Sequence, residues 1–122
     1  MQQHGFSTLE LDKIRLYSKY IPIFQSYNMS YTINLMGKIL NTISPILKNS
    51  DIEIIEAHHN RKIDSPSGTA LFLANKINSS LGNTLKYEFN RASKHKKREQ
   101  NEIGFSSIRG RKHYTVNIVY YL

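Results

Sequence analysis

Apolar positions recur along this chain with two periods, one near 3.6 residues and one near 2, and together they outline a fold. The clearest helical stripe is Ala70, Leu73, Ala74, Ile77 and Leu81, closed by Gly82 as a C-cap. Leu35, Met36, Ile39, Leu40, Ile43 and Leu47 form a second stripe, which Pro45 tightens or ends. A shorter helix is predicted from Ser7 to about Tyr20, because Ser7 and Glu10 fit a capping box and Leu9, Leu11, Ile14, Leu16 and Tyr17 supply apolar positions. Strands are predicted at Ile21–Phe24, with Pro22 near its start, at Asp51–Ala57, at Leu85–Phe89, at Ile103–Arg109 and at Tyr114–Leu122. The last two read as neighbours around Gly110–His113. Gln25–Ser30 is a polar turn, and the polar, basic stretch Asn90–Glu102 reads as loop.

The order is helix, strand, helix, strand, helix and then strands, with no internal repeat. It predicts an α/β (α+β) domain in which helices pack on a mixed sheet. The run Val116–Leu122 stops mid-strand, with no cap or polar tail. An apolar strand exposed there is an aggregation liability, so the remainder of a domain is expected to be missing.

Length adds that the 122 residues suffice for one domain with a modest core. No apolar run is long enough to cross a bilayer, and Met1-Gln2-Gln3-His4 does not start a signal peptide. There is no cysteine, so disulfides and thiolate metal sites are excluded. A cytoplasmic protein is expected. The net charge of +8 is local: eight basic residues between Arg91 and Lys112 face only Glu99 and Glu102. A local basic loop is weaker support for nucleic-acid binding than a basic face.

The densest chemistry lies in His58–Thr69, reading HHNRKIDSPSGT, between a predicted strand and the clearest helix. The strand end is where open α/β sheets build their sites. Pro66-Ser67-Gly68-Thr69 precedes Ala70 where helix N–H groups have no intrahelical partners, so a carboxylate or phosphate is attracted there. The alternative is that Ser67 or Thr69 only caps the helix. His58, His59 and Lys62 can exchange protons with a substrate held at that helix start. Taken singly, a core histidine or a solvated lysine explains each as well; the cluster is the unusual feature. Adjacent histidines do not readily point at one ion, and Glu56 or Asp64 would have to add oxygens, so no metal is expected. Neither a G-x-S-x-G elbow nor a Walker loop occurs.

From Asp51 onward, DIEIIEAHHNRKIDSPSGTAL resembles the signature region of the 4-hydroxy-tetrahydrodipicolinate reductases (dihydrodipicolinate reductases) of bacterial lysine and diaminopimelate biosynthesis. It carries E-A-H-H and then K-x-D-x-P-S-G-T, with every key position kept. Phe24–Ser30 (FQSYNMS), Ile103-Gly104-Phe105, Arg109-Gly110, His113 and Thr115 are similar to further stretches of that family. The resemblance implies reduction of the cyclic product of aspartate semialdehyde and pyruvate with NADH or NADPH. It implies His58 as proton donor and acceptor and Lys62 as proton donor. His59, Gly68 and Thr69 would bind substrate carboxylates, and Ser26, Tyr27, Asn28 and Met29 would contact the cofactor. It further implies a tetramer formed through the sheet.

The departures concern the cofactor. No G-x-G-x-x-G or G-x-x-G-x-x-G is present. Gln2-Gln3-His4-Gly5 stands where the family has Gly-Thr-Thr-Gly, and the link from Arg109 to His113 is a few residues short. Residues 1–27 therefore read as the end of a dinucleotide-binding domain, and residues 28–122 as a substrate-binding and oligomerisation domain truncated at its C-terminal end. NAD(P)H is the family's cofactor, but its binding by this chain is doubtful, and the chain alone is expected to be inactive. Partners are then a small dicarboxylate and further copies of the chain, with no membrane. Two other classes are a non-catalytic remnant or assembly unit, and a nucleic-acid-binding module using Arg91–Lys112 with Tyr114, Tyr120 and Tyr121 for stacking. For the basic segment, a solvated loop is the simpler expectation.

Overall fold

Local sequence sets where each helix begins. A computed structural model describes residues 6–24, 28–111 and 115–122. Helix α1 spans Thr8–Tyr17 and starts on the predicted capping box, the Ser7 hydroxyl accepting from the Glu10 amide and the Glu10 carboxylate accepting from the Ser7 amide. It buries none of its residues, so it stands on its caps rather than on packing. It ends at Tyr17, short of Tyr20, where the Ser18 hydroxyl donates to the Arg15 carbonyl. Ile21–Phe24 is not a strand. Its apolar side chains are exposed and no strand among the described residues pairs with it, so apolar character alone gives it no ladder to join.

Helix α2 (Tyr31–Ile43) is capped by Ser30, and Pro45 follows its C-cap, Ser44. Helix α3 (Gly68–Ser80) is capped by Ser67. The two pack closely at Gly37, where a Cβ would stand 2.9 Å from the Phe72 ring. The C-cap of α3 is Leu81, one residue before the predicted Gly82, and the chain reverses at Gly82 in the left-handed region (φ +73°). The buried Asn78 amide then exchanges two hydrogen bonds with the Leu85 backbone and delivers the chain to the sheet.

The sheet comprises β1 (Ile52–His59), β2 (Lys86–Glu88), β3 (Glu102–Gly110) and β4 (Val116–Tyr121), in the order β2-β3-β1-β4. β2 and β3 are parallel, as are β3 and β1, whereas β4 runs antiparallel to β1. The mixed sheet with helices packed on it is as expected, but β3 and β4 are not neighbours. β3 ends opposite His59 on one edge of β1, and β4 starts opposite Ala57 on the other. The physical reason is that β1 has apolar residues on both faces (Ile52 and Ile54 on one, Ile55 and Ala57 on the other), which suits a central strand better than an edge.

Helices α2 and α3 cover one face. There Leu40, Leu73, Ala74 and Ile77 close a core with Ile52, Ile54, Ile103 and Phe105. The other face carries the exposed Ile108, Val116, Ile118 and Tyr120. It also takes the basic loop, which is more than a solvated charge run. Arg91 pairs with Glu53 and Glu102 at 3.2 and 3.1 Å, Arg98 with Glu53 and Asp51 at 2.7 and 3.2 Å, and Lys94 with Glu88. Those contacts pin the loop to the starts of β1 and β3 and to the end of β2.

Candidate active site

Along the helix-covered face, the sheet changes character row by row. Tyr87, Ile103, Ile52 and Tyr121 form one row, and Phe105, Ile54 and Val119 the next. Ser107, Glu56 and Asn117 follow, and Arg109 and His58 come last. The apolar core thus gives way to a polar, ionic patch at the C-terminal ends of β1 and β3, the edge where α/β sheets usually place ligands.

Glu56 and His58 sit two apart on β1, so strand alternation puts them on the same face, and both are buried. His58 Nδ1 lies against Glu56 Oε2. The other carboxylate oxygen accepts from Arg109 Nη2 at 3.0 Å, and the same nitrogen donates to the Asp64 carbonyl at 2.7 Å. Burial, the strongest single influence, pushes the Glu56 carboxyl upward; hydrogen bonds from Arg109 and Ser107, with the charges of His58 and Arg109, outweigh it and hold it below the ordinary range. Glu56 is therefore a buried, ionised acceptor, and a neutral His58 must carry its proton on Nδ1, leaving the basic lone pair on Nε2.

The loop after β1 brings Lys62 Nζ within 2.8 Å of Asp64 Oδ1. It enters α3 through a cis Ser65–Pro66 bond and the buried Ser67, whose hydroxyl accepts from the Ala70 amide at 3.2 Å. Ser67 is thus the cap, and Gly68 and Thr69 form the first turn. Around Gly68 there is open space: a Cβ there would meet nothing within 4 Å. Asn28 ties the starts of two helices together, its amide donating to Thr69 Oγ1 at 3.2 Å while its Oδ1 accepts from the Ser30 amide at 2.8 Å. Met29 beside it is exposed, and Ser26 and Tyr27 lie outside the described residues. Strand alternation sets His59 on the opposite face from His58.

Sequence reading placed His58, Lys62, Gly68 and Thr69 in one loop but gave no role to Arg109, which joins them from a distant strand. Glu56 appears there as the first residue of the E-A-H-H signature and as an oxygen for a metal, with no part in orienting His58. Its i, i+2 spacing to a histidine in a strand was the available signal.

A family model described as "Dihydrodipicolinate reductase, C-terminus" matches residues 32–122. The chain belongs to the dihydrodipicolinate reductase family. Among its relatives, the 4-hydroxy-tetrahydrodipicolinate reductase of Clostridium novyi (strain NT) is 53% identical over 107 residues, which are 87% of this chain and 42% of the relative. The corresponding reductase of Clostridium tetani (strain Massachusetts / E88) is likewise 53% identical over 107 residues, with the same shares covered. The chain thus spans less than half the length of these family members. A solved structure, the dipicolinate-bound dihydrodipicolinate reductase from Paenisporosarcina sp. TG-14, superposes with a TM-score of 0.62 at 20% identity, over 98% of this chain and 46% of that one. It supports the fold. The family expected from His58–Thr69 and its flanks is the one found.

Proposed function

We propose that this chain carries the substrate half of the family's reaction, the NAD(P)H-dependent formation of tetrahydrodipicolinate from 4-hydroxy-tetrahydrodipicolinate in diaminopimelate and lysine biosynthesis. Hydride addition to a conjugated ring builds negative charge, which a nearby imidazole or ammonium proton neutralises. In this reading His58 exchanges the proton and Lys62 donates one. Gly68 and Thr69 at the start of α3 hold the substrate's carboxylates, and His59, set on the opposite face of β1 from His58, would reach them only around the end of the strand. The observation that carries the reading is the convergence of a carboxylate-backed histidine, a carboxylate-backed lysine and an open helix start at one edge of the sheet.

In the family the hydride comes from a nicotinamide. For such a cofactor the residues present fit in part only. Asn28 and Met29 flank the helix start and would meet the nicotinamide end, together with Ser26 and Tyr27, but this sequence has no Gly-rich turn to cradle a pyrophosphate. Residues 28–122 are accordingly read as a substrate-binding and oligomerisation domain of a cytoplasmic enzyme, and residues 1–27 as the end of a nucleotide-binding domain. The open sheet face with Ile108, Val116, Ile118 and Tyr120 is read as the surface on which copies associate, as in the family's tetramer.

The test is calorimetric titration with pyridine-2,6-dicarboxylate, a planar dicarboxylate. Saturable binding that disappears in Lys62→Ala and in Thr69→Ala is expected. A wild-type chain that is folded and gives no binding heat would overturn the reading.

A further inference from the structure

The two proton-handling residues of the proposed site, His58 on β1 and Lys62 in the loop that follows, are linked by more than the turn between them, where the Lys62 amide donates to the His59 carbonyl at 3.2 Å. They are also joined through β3. Arg109 Nη2 is 3.0 Å from Glu56 Oε1 and 2.7 Å from the carbonyl oxygen of Asp64. Glu56 presents its second oxygen to His58 Nδ1, and the Asp64 carboxylate holds Lys62 Nζ at 2.8 Å. One guanidinium nitrogen therefore stands midway between His58 and Lys62, the link to Lys62 passing through Asp64 from its main-chain carbonyl to its side-chain carboxylate. This link, through a residue 53 positions beyond Glu56, adds a second tie between the strand end and the loop.

We propose that Arg109 is a positioning residue of this site: through Glu56 it holds His58 in the Nδ1–H tautomer, and through the Asp64 carbonyl it holds Lys62 at a set distance from that imidazole. The inference rests on the proposed roles of His58 and Lys62, but its mechanism is independent of any ligand. The Glu56 side chain is fully buried. Without a cation beside it, burial favours the neutral acid, and a protonated carboxyl donates where a carboxylate accepts. The proton of a neutral His58 would then move to Nε2, the nitrogen needed for exchange with a substrate. Arg109 thus decides which face of the imidazole is basic, without touching it. An orienting carboxylate with its own partner is a general way to select a histidine tautomer.

The experiment uses the full 122-residue chain labelled with nitrogen-15, at about pH 8.5, where an ordinary imidazole is neutral. Long-range proton–nitrogen correlation reads the tautomer of each histidine, and the His58 signals are assigned by their loss in His58→Gln. The wild type is expected to show His58 as the Nδ1–H form, Arg109→Gln to move it towards Nε2–H, and Arg109→Lys to restore it, since one cationic donor serves both acceptors. Glu56→Gln, which keeps the shape of the side chain, is expected to abolish the Nδ1–H preference even if Arg109→Gln does not fold. Pyridine-2,6-dicarboxylate should bind Arg109→Gln about tenfold more weakly or worse, the scale set by losing a hydrogen bond to a charged group. An Nε2–H wild type, or an unchanged tautomer in folded Glu56→Gln or Arg109→Gln, would overturn the proposal. Absence of dicarboxylate binding by the wild type, with the tautomer switching as expected, would instead refute the functional reading and leave the positioning geometry standing.

Discussion

Gly104 of β3 lies beneath the Glu53 carboxylate of β1, and a Cβ at position 104 would collide with both carboxylate oxygens. The missing side chain lets Glu53 lie across β3 and reach Arg91 and Arg98. The glycine is there for close approach, not for an unusual backbone angle. Gly104→Ala is expected to displace Glu53, loosen the basic loop and cost about 1–3 kcal/mol, the usual range for forcing atoms into a filled site. Urea denaturation checks this, and Gly104→Ala combined with Glu53→Ala should lose less than the two single changes add up to.

Acid should weaken the Glu56 cluster. The Glu56 carboxyl is held below its ordinary value of 4.5, so folding favours its ionised form. The resulting stability is fully present above that ordinary value and is lost as pH falls through the lower, folded value. Unfolding measured from pH 7 downward should therefore show a declining acid limb that is shallower in Glu56→Gln. At pH 7 the same variant should be less stable by about 2–4 kcal/mol, because it leaves the Arg109 cation partly buried without its counter-ion.

Gly68→Ala separates folding from binding. The methyl group meets nothing within 4 Å, so the chain should fold with unchanged or slightly higher stability, a gain of up to about 1 kcal/mol from replacing a glycine in a helix. A carboxylate approaching the start of α3 would meet that methyl, and pyridine-2,6-dicarboxylate affinity should fall about tenfold, equivalent to ~1.4 kcal/mol. Equal binding by the variant would place the ligand elsewhere.

Leu73 is fully buried between the sheet and α2. Leu73→Ala should cost about 2–5 kcal/mol through lost burial and a residual cavity. Thermal unfolding followed by circular dichroism checks it, and a loss under about 1 kcal/mol would contradict the described core.

Periodic segments were the legible part of this fold. Ala70, Leu73, Ala74 and Ile77 gave α3 because a helix buried on one side must repeat its apolar positions. Ile52 and Ile54 gave β1 for the corresponding reason at period two, and the loop between them announced its chemistry by composition. Spatial relationships were less legible. β3 and β4 read as neighbours because only a short link separates them, yet β1 lies between, and strand order is a property of the sheet that no single strand encodes. Ile21–Phe24 has the composition of a strand, but no strand among the described residues pairs with it. Arg91, Lys94 and Arg98 read as a solvated run because the acids that bind them, Glu53, Glu88 and Glu102, belong to three different strands. Arg109 was visible as a charge, but its partnership with Glu56 spans 53 residues and emerges only when β1 and β3 are aligned.

The alternation of β1 makes one eight-residue strand answer to two masters. Ile52 and Ile54 face the helices because Glu56 and His58 do, and the parity of the count binds them together. Substitutions on this strand can be absorbed one at a time. An insertion or deletion of one residue between Ile52 and Glu56 cannot, since it turns either the apolar pair or the acid–histidine pair to the wrong side of the sheet. Length drift in this family should therefore accumulate in the surrounding loops, while the spacing within β1 is inherited as a unit.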